Sequence, residues 1–68
     1  MKISQVDMIR SLASALGRDR KNLRLGQAFV NSLPDDISSD DYSVITDIFY
    51  KEDLDETLSM IERNFHVE

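Results

Sequence analysis

Three polar side chains, Arg24, Gln27 and Asn31, recur at i, i+3 and i+7 along the segment NLRLGQAFVNSLP, which is otherwise largely apolar. On a helix of 3.6 residues per turn that spacing gathers them into one narrow stripe, with Leu25, Phe29 and Leu33 on the opposite side. Arg, Gln and Asn are the residues that read base edges in the major groove, and a basic group stands just before them: Arg18, Arg20, Lys21 and Arg24, with Arg10 upstream. The stripe therefore suggests a small DNA- or RNA-binding regulator. Two features oppose that chemistry. The overall charge is −5, and no second basic stripe is available to hold a phosphate backbone from both sides.

Catalytic chemistry has little to work with. His66 is the single histidine, two residues from the end, where fraying is expected, and there is no Cys to pair with it. Serines and aspartates are plentiful but have no partner base, so no enzyme is expected. A calcium loop can be counted out with Asp36, Ser38, Asp40 and Asp47 at positions one, three, five and twelve. It fails at position six, where Asp41 replaces the Gly of the sharp turn, and at position twelve, where the bidentate Glu is missing. Neither a metal nor another cofactor is expected.

Charge is divided unevenly. Residues 1–30 hold six Lys and Arg against Asp7 and Asp19, a balance of +4, while residues 31–68 hold eleven acids against Lys51 and Arg63, a balance of −9. The acidic half, with Asp35, Asp36, Asp40, Asp41, Asp47, Glu52, Asp53, Asp55 and Glu56, can present carboxylates to a basic protein surface or simply face water. The pair Phe49–Tyr50 adds a contact of another kind. Adjacent helical residues point about 100° apart, so one of the two rings is free to anchor an interface.

These groups must be positioned by helices. Ser4 with Asp7 three residues later is a variant capping box, and Val6, Ile9, Ala13 and Leu16, widened by Met8, Leu12 and Ala15, predict an inward apolar face on a helix from 4 to 16 closed by Gly17 in a left-handed turn. After the connector RDRK, Asn22 caps a second helix over 23–33, stopped by Pro34. Gly26 inside it costs about 1 kcal/mol relative to Ala, which close approach of a neighbouring helix would explain. Ser39, followed by Asp40 and Asp41, caps a short third helix with Tyr42, Ile45 and Phe49 inward, although the β-branched run Val44–Thr46 competes for an extended piece. Asp53 and Glu56 open a last helix over 53–65 with Leu54, Leu58, Ile61 and Phe65 on its apolar stripe.

The expectation is a single all-α domain over residues 1–68, a compact small bundle of three main helices plus one short helix. A chain of 68 residues buries only about 60% of the surface its unfolded form exposes, so its stability is marginal and self-association would help it. No apolar run is long enough for a signal peptide or a membrane span, and with no Cys the reading is a soluble cytoplasmic protein.

The segments NLRLGQAFVNSLP and DIFYKEDLDETLSMIERNF resemble a pattern in small uncharacterised phage and prophage proteins, where LRxGQ and a later Asn precede FYxED and a final amphipathic helix. The matching positions are Leu23, Arg24, Gly26, Gln27 and Asn31, then Phe49, Tyr50, Glu52 and Asp53. The resemblance implies a phage-type accessory protein that engages a host protein. It also suggests a clasp: Gly26 lets the second helix approach the last, Gln27 and Asn31 bond to the turn at 50–53, and Arg24 meets Glu52 or Asp53. The polar stripe thus has three readings: internal clasp, exposed binding surface, or ordinary surface. The leading expectation is a non-enzymatic protein-interaction module that binds a protein partner or itself, with Arg24, Gln27, Asn31, Tyr50, Glu52 and Asp53 as its contact residues.

Overall fold

A computed structural model describes residues 1–17, 23–35 and 42–68. In chain order the elements are β1 (Lys2–Ile3), α1 (Gln5–Leu16), α2 (Leu25–Asn31), α3 (Tyr42–Phe49), α4 (Leu54–Asn64) and β2 (His66–Val67). The domain is all-α apart from the two-residue strands, as the periodicity predicts. The connector RDRK, the cap Asn22, and residues 36–41, with Asp36, the cap Ser39, Asp40 and Asp41, lie outside the described residues.

The middle of the bundle is α2, which packs on α1, α3 and α4. It buries Leu25, Gly26, Ala28 and Phe29, and Phe29 meets Phe65 edge to face with ring centroids 5.6 Å apart. It is shorter than the spacing predicts. Arg24 is extended and serves as the N-cap, and at the other end the amides of Ser32 and Leu33 bond to the carbonyls of Phe29 and Val30, three residues back. Such tightening ends the α-helix at Asn31, ahead of Pro34.

Two local signals work as written in the sequence. The Ser4 hydroxyl accepts from the Asp7 amide at 3.1 Å, and the Asp53 carboxylate accepts from the Glu56 amide at 2.8 Å. The third helix forms despite its β-branched run, with the Thr46 hydroxyl donating back to the Tyr42 carbonyl.

The faces differ from expectation. On α1 the main inward set Val6, Ile9, Ala13 and Leu16 is exposed, while Met8 and Ala15, expected only to widen that face, are buried together with Ser11. Apolar residues cover more than half of this helix, so periodicity offers two faces. The one used carries Ser11 and Ala15, small enough for close packing, and leaves the Ser11 hydroxyl buried without a hydrogen-bond partner among the described residues. On α3 the fully buried residue is Ile48; Tyr42 is 73% exposed, and Ile45 and Phe49 are half-buried. On α4, Ile61 and the C-cap Phe65 are buried as expected, Leu54 and Leu58 are exposed and not inward, and Thr57 is buried with its hydroxyl donating to the Asp53 carbonyl.

Gly17 leaves α1 in an extended conformation at φ −95°, not left-handed; a Cβ there would stand 2.7 Å from the Ala13 carbonyl oxygen, so the glycine serves clearance. The end of the chain is tied, not frayed. β1 and β2 pair in parallel, Lys2 with His66 and Ile3 with Val67, and the amides of His66 and Glu68 donate to the carbonyls of Met1 and Ile3. With Ile3 and Phe65 both buried, this pairing closes the bundle. Two residues per strand are too few for an alternating pattern to appear in the sequence.

Candidate partner-binding surface

The surface begins with a backbone contact. The Gly26 amide donates to the Lys51 carbonyl at 3.0 Å, and a Cβ on Gly26 would lie 1.6 Å from the Ile48 carbonyl oxygen. Gly26 therefore brings α2 against the carbonyl end of α3 and the turn after it, not against the last helix as the clasp reading has it. That contact sets the rotation of α3, turning Ile48 into the core and leaving Phe49 half-buried and Tyr50 61% exposed.

Arg24, extended just ahead of α2, sends its side chain across this turn. Its Nε lies 3.6 Å from the Glu52 carboxylate, and its guanidinium carbon stands 5.7 Å from the centre of the Tyr50 ring. A cation over an aromatic face is attracted by the ring quadrupole and here also holds the ring in place. Phe49 also meets the Tyr50 ring edge to face, with ring centroids 5.1 Å apart. Tyr50 is thus an exposed ring in contact with both Arg24 and Phe49.

Beside it runs a shallow apolar groove of about 260 Å³ between α2 and α3, lined by Val30, Tyr42, Ile45, Thr46, Phe49 and Tyr50. The two tyrosines, exposed at either end of α3, form its rim. Tyr50 is one of the contact residues expected from the sequence; the walls Val30, Ile45 and Thr46 are not among them. The available signal was two tyrosines bracketing one apolar helical segment.

Of the six expected contact residues, the fold brings Arg24, Tyr50 and Glu52 together. Asp53 lies next along the turn with its carboxylate occupied at the start of α4. Gln27 is half-buried and Asn31 exposed, one residue from Val30; neither side chain bonds to the turn at 50–53. Of the clasp, the Arg24–Glu52 pair forms, while Gly26 approaches α3 instead of the last helix and the two amides do not reach the turn. In the turn, the Lys51 ammonium pairs with Glu56, and this hydrogen bond, reinforced by the charge attraction, raises the lysine pKa above its usual 10.5.

For nucleic acid the arrangement is less suitable. A recognition helix must enter a groove, whereas α2 is packed on three sides and its Gly26 amide is already bonded. Arg18, Arg20 and Lys21 lie outside the described residues; Arg10 pairs with Asp7 at 3.5 Å and Arg24 with Glu52. Among the described residues no cluster of His, Asp and Glu could hold a metal ion, and Asp47 sits on α3, not in a loop. No helix of the described residues is long and apolar enough to cross a membrane.

Compared with protein-family models, curated proteins and solved structures, the chain matches none.

Proposed function

We propose that this chain is a non-enzymatic protein-interaction module of the cytoplasm, a phage-type accessory protein that takes a protein partner in the groove between α2 and α3. One observation carries the reading: Tyr50 is exposed yet in contact with both Phe49 and Arg24 at the rim of an apolar groove. Tyr and Arg are the residue types that dominate binding energy at protein interfaces, and a ring fixed before binding loses little entropy on contact. The turn beyond it adds Glu52, Asp53, Asp55 and Glu56, all exposed, so the groove's end favours a partner with positive charge beside an apolar side chain.

The test is selection of peptide ligands from a random displayed library against the protein, followed by affinity measurement with the double variant Tyr42→Ala/Tyr50→Ala. Peptides whose affinity falls at least about tenfold in the variant support the reading. Failure to recover any, together with binding of a short mixed-sequence DNA duplex that weakens steeply as salt rises, would replace it with the nucleic-acid reading.

A further inference from the structure

The Tyr50 end of the groove already holds a cation. The Arg24 guanidinium carbon stands 5.7 Å from the centre of the Tyr50 ring, and Nε lies 3.6 Å from the Glu52 carboxylate. A ring face beside a carboxylate suits a planar guanidinium, which stacks on one while it donates to the other. Arg24 uses this corner incompletely. At 3.6 Å its contact with Glu52 is an ion pair and not a hydrogen bond, and the two side chains are 47% and 75% exposed. A pair this open adds little to the fold. The helix does not need the side chain either, since Arg24 makes no side-chain cap bond at the start of α2.

We infer that this corner is the arginine subsite of the groove: Arg24 fills it in the free chain, and an arginine of the bound protein partner takes it over. This assignment rests on the groove reading and names what the groove selects. Charge favours that occupant. From Tyr42 to Glu56 the chain carries Asp47, Glu52, Asp53, Asp55 and Glu56 against Lys51 alone, and Lys51 is engaged with Glu56. A cation approaching this end therefore meets net negative charge, and a carboxylate is repelled. An ammonium would satisfy Glu52 but lacks the flat face that stacks on Tyr50.

Geometry fixes the spacing. The eight residues of α3, with the groove along them, span about 12 Å. An extended partner covers that length in about four residues, so an apolar side chain lodged between the tyrosines stands one to four residues from the arginine at Tyr50. Arg24 competes for the same place, which makes it an internal check on the affinity of the groove.

Binding of three series of randomised peptides to the full chain tests this. Each peptide carries a leucine and, one to four residues away, arginine, lysine or citrulline, the uncharged isostere of arginine. The arginine series should bind at least about tenfold tighter than the citrulline series, with lysine in between. Glu52→Gln, at an exposed side chain, should remove most of that preference. Arg24→Ala should tighten the arginine series about threefold or more, because the competitor is gone. Citrulline peptides that match arginine peptides overturn the inference, as does a preference that survives Glu52→Gln, or lysine peptides equal to arginine peptides. Weaker binding of the arginine series to Arg24→Ala also overturns it, by making Arg24 itself the contact residue. Equal binding of all three series would overturn this assignment and leave the groove reading standing, whereas binding of none would remove both.

Discussion

The helices α2 and α4 start in opposite ways. At α4 the free amides meet a side chain three residues away, Asp53 accepting from Glu56, so the cap is written within four consecutive residues. At α2 the N-cap is Arg24, which makes no side-chain cap bond, and the Gly26 amide goes to the Lys51 carbonyl, 25 positions later. A cap of the first kind exists in any fold that makes the helix; the second exists only when α3 and its turn are already in place. Local chemistry sets one boundary, and tertiary contact sets the other. Glycine is the residue that makes the distant contact possible, because an amide can approach a carbonyl this closely only where no side chain intervenes.

The strongest way to break this contrast is Gly26→Ala. Intrinsic helix propensity alone predicts a gain of about 1 kcal/mol. The position of the Ile48 carbonyl, 1.6 Å from the new Cβ, predicts the reverse, because backbone atoms on both sides must separate and the Gly26–Lys51 bond goes with them. Overpacking and an orphaned buried amide together cost about 3 kcal/mol or more. For a chain of this size that is a large part of the whole stability. Thermal unfolding followed by circular dichroism should show the cooperative transition lost or moved far down. A midpoint at or above wild type would mean that α2 needs no such approach.

At α4 the corresponding change, Asp53→Ala, should cost about 1 kcal/mol, lowering the midpoint by roughly 4–8 °C. Asp53→Asn should restore most of it, since an amide oxygen caps nearly as well. A loss from Asp53→Ala as large as that from Gly26→Ala would remove the distinction between local and distant caps.

What could be read in advance follows the same division. Ser4–Asp7 and Asp53–Glu56 were legible because cap and amide are neighbours in sequence, and they fix the starts of α1 and α4. The choice of face on α1 was not. Val6, Ile9, Ala13 and Leu16 make as good a stripe as Met8, Ser11 and Ala15, and only packing on α2 decides which one is inside. Burial of Ile48 in place of Phe49 is not legible along α3 itself, because rotation of α3 depends on Gly26, twenty-two residues earlier. In the candidate site, Arg24 pairs with Glu52, one of the two partners, Glu52 or Asp53, that the clasp suggested by the resemblance offers it, and Tyr50 was legible as the outward member of an aromatic pair. The groove beside them was not, since its walls come from α2 and α3 together.

One residue takes part at both starts, and it supplies the smallest effect. The Lys51 carbonyl bonds to Gly26 of α2, while its ammonium meets Glu56 in the first turn of α4. The ion pair is exposed and should matter less than either cap. Its signature is a pH dependence. The lysine pKa is raised in the folded state, chiefly by the hydrogen bond from its ammonium to Glu56, so the stabilisation is fully present below the usual 10.5 and disappears as pH climbs through the higher folded value. Glu56→Gln removes the partner charge. The stability difference between wild type and this variant should therefore be constant through neutral pH and shrink above pH 10.5. Urea unfolding of the two proteins across that range measures it, and a difference that persists unchanged into strong alkali would assign the role of Glu56 to the positive end of the α4 dipole in place of Lys51.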